Sequence, residues 1–290
     1  MKRWMVTGAR GMVGSDLVAE LTARGEETIA LAKSDLDITN ARAVSSVIRE
    51  QKPAIIVNCA AYTNVDKAEE EEATANAING SSVEFLARSA NDVNALFVQL
   101  STDFVFDGTK KTPFDIHDAT NPLSAYGRSK LLGERAATHA EKHLIIRTSW
   151  LFGVNGPNFV EAIRNQINKG TNPLHVVDDQ RGCPTYTPHL AHAIIRLASL
   201  DATGIAHYTD HDECTWFDFA NAIVDELGVD VKVKPVSTSE FPRPAKRPAY
   251  SVLSTERYER LTGVEPESWR EGLREYLGWR RTPLSAVPRD

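Results

Sequence analysis

The sequence predicts an α/β protein, a doubly wound, mostly parallel sheet with helices on both faces, followed by a smaller α/β unit. Three observations carry this prediction. Short apolar runs alternate with amphipathic helical patterns up to about residue 150. The first such strand and helix are joined by a glycine-rich turn, G-A-R-G-M-V-G, from Gly8 to Gly14. The run N-A-L-F-V-Q-L ends in two hydroxyl residues, Ser101 and Thr102, at the carboxyl end of a strand, where open parallel sheets bind ligands.

Arg3 to Val6 reads as the first strand, and the pattern Val13, Leu17, Val18, Leu21 as the helix after the turn. Gly8, Gly11 and Gly14, with Arg10, Met12 and Val13 between them, therefore sit in a strand–turn–helix setting. There the backbone must approach a pyrophosphate closely at a helix N-terminus, which is the Rossmann-type arrangement for dinucleotides. Thr28 to Ala32 reads as the second strand, whose end separates NAD from NADP. Lys33 stands there with no carboxylate before Ser34, and Arg10 lies in the first turn. These cations favour NADPH, with NADH also admissible. Asp37 and Ile38 either frame the adenine or leave Thr39 to cap a helix over 41–51.

Ala54 to Asn58 reads as a third strand. Ala60 and Ala61 at its end leave room either for a flat cofactor or for close helix packing. Tyr62 to Asp66 is expected to loop over the cleft. The acidic run Glu69 to Glu72 reads as a solvated face near the start of a helix bearing Ile78, Val83, Leu86 and Ala90.

After Ser101-Thr102-Asp103-Phe104, helical periodicity resumes at Ser124, so Tyr126 and Lys130 fall four apart on one helix face. A free phenol has a pKa of about 10. A neighbouring ammonium is expected to lower it towards the range useful for acid–base chemistry, while Thr102 or Ser101 holds a carbonyl oxygen. His143 to Arg147 is a further strand. Beyond residue 150 the pattern loosens: a helix over 158–168, a short strand over 174–177, an irregular stretch from Asp178 to Pro188, a helix over 189–199, a strand over 205–208 and a helix over 216–227. A loop with Pro235, Pro242, Pro244 and Pro248 carries Arg243, Lys246 and Arg247, cations suited to a diphosphate.

With 290 residues, 42% apolar and 25% charged, the chain has the composition of an ordinary soluble globule. Its formal net charge of −6 argues against nucleic acid as a partner. Cys59, Cys183 and Cys214 lack the spacing of a disulfide framework or a zinc site. No apolar run of membrane length is present, and a cytoplasmic location is expected.

Together, G-A-R-G-M-V-G, S-D-L-D-I-T-N, N-C-A-A-Y-T-N-V-D-K-A-E, S-T-D-F-V-F-D-G, Y-G-R-S-K, R-T-S-W-L-F-G, D-D-Q-R-G-C-P-T-Y and R-P-A-Y-S-V-L-S resemble the dTDP-4-dehydrorhamnose reductase family, a branch of the extended short-chain dehydrogenases/reductases. The resemblance spans about residues 1–277. It implies an NAD(P)-binding Rossmann domain over 1–150, to which about 183–204 and 243–256 return, a mainly substrate-binding domain over 151–281, and a flexible tail over 282–290. It further implies NAD(P)H-dependent reduction of the C4 ketone of a dTDP-4-dehydro-6-deoxy-L-mannose substrate.

Carried over residue by residue, Tyr126 is the proton donor, Lys130 its partner and ribose ligand, and Thr102 the residue orienting the substrate oxygen. Asp103 shares their motif. Gly8, Gly11, Gly14, Asp37, Ile38, Ala60, Ala61, Tyr62 and Ser101 line the cofactor. Val65, Phe104, Trp150 and Arg247 meet the sugar nucleotide, and the family often has tyrosine at the position of Phe104. Some members dimerise through a metal held by carboxylates, so a homodimer is among the expectations. T-P-H-L-A-H-A-I has no carboxylate, so no such metal is expected. Related 4,6-dehydratases carry Asp-Glu after the threonine, where this chain has Asp103-Phe104, which favours simple reduction. A regulatory subunit of methionine adenosyltransferase also resembles these reductases and binds NADP without this catalysis. Intact Thr102, Tyr126 and Lys130 favour an enzyme.

Overall fold

The computed structural model describes residues 2–281. The expected tail over 282–290 lies outside the described residues. Six strands form one parallel sheet: β1 (Arg3–Thr7), β2 (Glu27–Leu31), β3 (Ile55–Asn58), β4 (Leu96–Thr102), β5 (His143–Thr148) and, from late in the chain, a strand at Gly204–His207. Their spatial order is Gly204–His207, β5, β4, β3, β1, β2, with Thr102 opposite Thr148 and Ile205 opposite Ile145. The order reverses between β1 and β3, which opens a crevice at the strands' carboxyl ends.

Strand side chains alternate between faces, and here both faces are apolar. Trp4, Val6, Val57, Val98 and Ile146 pack against α1 (Met12–Ala23) and a helix at Thr187–Ser199. Met5, Ile56, Phe97 and Ile145 pack against α2 (Ala41–Gln51) and a helix at Ser82–Asp92. The stretch at 187–207 therefore covers and extends the first sheet. A second core gathers Phe152, Val160, Ile163, Phe219, Trp269, Leu273 and Tyr276 from helices at Phe159–Asn168, Trp216–Leu227 and Trp269–Arg281.

Several local expectations are corrected. Asn40, not Thr39, caps α2, accepting from Ala43 N at 3.1 Å. The helix read through Ile78 is broken into α3 (Glu72–Asn76), a π-turn (Ala77–Ser81) and α4 (Ser82–Asp92). The irregular stretch 178–188 contains two short strands, Arg181–Gly182 and Thr185–Tyr186. Two-residue strands have no periodicity for a sequence to display. Pro235 belongs to an edge strand, Val233–Val236, paired with Leu174–Val177, a setting where the missing N–H costs nothing. No helix among the described residues is long and apolar enough to cross a membrane.

Candidate active site

The glycine turn is shaped by contact. Gly8 has φ of +65°, and a Cβ on it would lie 2.6 Å from Ala60 N. A Cβ on Gly14 would lie 2.2 Å from Gly8 O. Glycine at position 8 is thus required by the backbone at the end of β3, which approaches it directly. Gly11 caps α1 without a side chain and donates to Gly8 O at 2.9 Å, so the first helical N–H groups, at Met12 and Val13, are left for an anion. These residues fit the phosphates of a dinucleotide. Arg10 and Lys33 are exposed at the same edge. The Asp37 carboxylate accepts from Thr39 N and Oγ1 at 3.0 and 2.8 Å, and these bonds hold it below the usual carboxylate range. The Ile38 side chain is buried in the core, so only its backbone can meet a ligand.

β4 ends in buried Ser101 and Thr102, and the two hydroxyls part company. Thr102 Oγ1 donates to Asp103 Oδ1 at 3.0 Å, accepts from Phe104 N at 3.2 Å and reaches the Tyr126 hydroxyl. Ser101 Oγ instead donates to Glu134 Oε1 at 2.5 Å. Of the two hydroxyls offered for a carbonyl oxygen, that of Ser101 is thus directed at Glu134 and that of Thr102 at Tyr126. Asp103 is buried, and desolvation raises its carboxyl to about 6 despite hydrogen bonds from Ser251 and Thr102.

Tyr126 lies on α5 (Ala125–Ala137), its ring partly exposed and packed edge-on to Phe104 at 5.6 Å. Burial of the hydroxyl pushes it up to about 12, and the Asp103 carboxylate adds to the rise, against a smaller opposing effect of the Thr102 hydrogen bond. Lys130 donates to Leu100 O at 2.7 Å. Its burial lowers it to about 8, opposed by Glu134 and Cys59. The phenol is thus raised, because desolvation is the largest effect on it and the Asp103 carboxylate adds to it. With that shift the Tyr126 phenol carries its proton throughout the neutral range.

What fixes this helix was not legible beforehand. Ser124 caps it through Gly127 N, Glu69 Oε1 accepts from Ala125 N at 2.9 Å, and Glu72 takes Arg128 at 2.9 and 3.1 Å. Glu71 accepts from the Tyr62 hydroxyl at 2.8 Å. Three carboxylates of the acidic run, Glu69, Glu71 and Glu72, therefore act as clasps, while Glu70 is exposed. Buried Asn79, in the π-turn, holds Tyr62 N and O and donates to Ser129 Oγ, which donates to Tyr126 O. A Cβ on Gly133 would lie 2.1 Å from Asn79 O, so the π-turn and α5 touch backbone to backbone. Beneath the site Thr7, Asn58 and Gln99 form a hydrogen-bonded ladder ending at Leu100 O, the acceptor of Lys130.

A family model described as "RmlD substrate binding domain" matches residues 1–281. The chain belongs to this family. An RmlD relative, the dTDP-4-dehydrorhamnose reductase of Streptomyces griseus, is 43% identical over 283 residues, covering 94% of this chain and 92% of that protein. A crystal structure of a dTDP-4-dehydrorhamnose reductase from Clostridium acetobutylicum has a TM-score of 0.93 at 42% identity, covering 97% of this chain and all of that one. That of the Bacillus anthracis reductase, in complex with NADP, has a TM-score of 0.92 at 38% identity, covering 96% and 99%.

In this RmlD chain the residues expected at a sugar nucleotide come from distant segments. Val65 lies in the loop after β3, partly buried, as is Phe104. Trp150 follows β5 with φ of +48°, a conformation a bulky residue adopts only when its surroundings impose it. Its ring stacks on Trp216 at 3.5 Å and lies against Gly182, where a Cβ would come within 2.6 Å of it. Trp216 was not singled out by sequence, since its place beside Trp150 depends on the second core. Arg247 pairs with Asp66, at 3.0 Å from Nη1 to Oδ1 and 3.2 Å from Nη2 to Oδ2.

Proposed function

We propose that this protein is an NAD(P)H-dependent reductase of a nucleotide sugar, converting the C4 ketone of dTDP-4-dehydro-L-rhamnose to dTDP-L-rhamnose. NADPH is the preferred cofactor. The observation that supports this reading is the meeting of the Thr102 and Tyr126 hydroxyls at the carboxyl end of β4, in a family whose members include several dTDP-4-dehydrorhamnose reductases. Gly8, Gly11 and Gly14, with Met12 and Val13 N–H, would hold the dinucleotide phosphates, and Lys130 would hold a ribose. When bound, the nicotinamide supplies the hydride that reduces C4.

Thr102 would hold the ketone oxygen through its hydroxyl. Tyr126 would then deliver its proton to that oxygen as the carbon is reduced, and be reprotonated from solvent. Lys130, charged below a pH of about 8, would lower the cost of the transient phenolate. Phe104 offers no base where a dehydratase needs one, which supports reduction over elimination. The decisive assay supplies the purified protein with NADPH and the dTDP-4-dehydro sugar, follows NADPH absorbance and identifies the product by NMR. Rhamnose-configured product is expected. Formation of a 4-keto sugar from dTDP-glucose, or tight NADPH binding without oxidation, would sink the reading.

A pH profile follows from the two shifts. Tyr126 stays protonated up to about 12, so the basic limb belongs to Lys130, whose charge is lost as pH rises through about 8. We expect kcat/KM to fall about tenfold per pH unit above that value. A profile flat well into the alkaline range would exclude a role for the Lys130 charge.

A further inference from the structure

Arg247 reaches Asp66 across 181 residues of chain. An exposed ion pair of this kind contributes little by itself. Three features set this one apart. Arg247 and Asp66 side chains are only 22% and 26% exposed, and their contact is bidentate. Backbone groups complete it: Arg247 Nη1 also donates to Ala245 O at 3.0 Å, and Ala245 N donates to Asp66 Oδ1 at 3.3 Å. Buried Pro248, next in the chain, is wedged where a Cβ on Gly108 would come within 2.6 Å of its own Cβ.

A guanidinium has five N–H donors in a rigid plane. Nη1 gives both of its hydrogens, to Asp66 and to Ala245 O, and Nη2 gives one to Asp66. The Nε–H and the second Nη2–H remain, side by side, with no protein partner among the described residues. That edge has the geometry for two oxygens of one phosphate. Asp66 also draws Arg243 to 3.8 Å, and with Lys246 exposed nearby the segment sets three cations against one carboxylate. The patch stays net positive while one of its arginines is fixed in direction.

We infer that Asp66 is a positioning residue: with the Ala245 carbonyl it orients Arg247 so that the free edge of the guanidinium receives the diphosphate of the sugar nucleotide. This rests on the substrate reading above. Asp66 acts through Arg247 and need not touch the substrate, so losing it is felt only while Arg247 is present.

The test is a double-mutant cycle on the full chain, read by calorimetric binding of thymidine diphosphate. Asp66→Asn is expected to weaken binding about tenfold, Arg247→Gln at least as much, and the double variant no more than Arg247→Gln alone. NADPH affinity should not change, Asp66→Glu should recover part of the loss, and the effect on the keto sugar should fall on KM more than on kcat. If Asp66→Asn fails to fold, Asp66→Ser supplies the same cycle. Wild-type affinity in the Asp66 variant, or losses that multiply in the double variant, would overturn the inference. A wild-type protein that binds NADPH but no thymidine diphosphate would instead remove the substrate reading on which it stands.

Discussion

Tyr126→Phe is expected to lower kcat by about 10² or more while leaving NADPH affinity within about twofold. The substitution deletes one oxygen and little else. Thr102 keeps its bonds to Asp103 and Phe104 N, and the edge-on contact with Phe104 belongs to the ring. The clasps on α5 act through backbone and neighbours, at Ala125 N, Arg128 and Ser129. Stability should therefore hold, and thermal melting is the control. The loss should appear in single-turnover reduction of the keto sugar, since the missing group is the proposed proton donor. A variant that turns over like wild type would remove Tyr126 from the chemistry and return the proton to Asp103, which titrates near 6, or to water.

The second large effect is on stability. Arg147→Ala should destabilise the protein by about 3–5 kcal/mol, because it strands a buried carboxylate. Glu134 and Arg147 side chains are 5% and 3% exposed and meet through two bonds of 2.8 Å, with Ser101 on Glu134 and Phe106 under the guanidinium. His207 Nε2 lies 3.4 Å from Arg147 Nη1, and burial with that positive charge lowers this imidazole to about 3, so it stays neutral at ordinary pH. For a chain of this size the loss corresponds to a fall in Tm of roughly 6–20 °C by calorimetry. Replacing both members, Glu134→Leu with Arg147→Met, should restore much of it, because no charge is then left unpaired. If the single and double variants melt together, the ion pair is not the source.

Glu134 follows Tyr126 and Lys130 at the same spacing on α5, and this pattern is visible in sequence. Its partner Arg147 is not, because that pairing requires β5 to lie beside β4. The same distinction runs through the molecule. The Gly8 turn, the strand ending in Thr102 and the Tyr126–Lys130 helix are local, and each could be read from a dozen residues. The run Glu69 to Glu72 could not, since a carboxylate on a solvated face and one bonded to Ala125 N look alike in one dimension. Asn79 gives no periodic signal, and its role arises from a π-turn packed against Gly133. The phenol follows the same rule: spacing sets Lys130 near Tyr126, but only packing reveals how far burial and Asp103 raise it.

By itself the sequence determined the alternation of strands and helices, the glycine turn between β1 and α1 and the residue types available for a proton transfer, because these depend on backbone preference and on neighbours within one or two turns. Tertiary structure alone decided which hydroxyl of Ser101-Thr102 faces Tyr126, which carboxylates hold α5, and that Gly204–His207 completes the first sheet. Those outcomes depend on desolvation and on contacts between segments tens to hundreds of residues apart, and neither quantity is a property of any short stretch of chain.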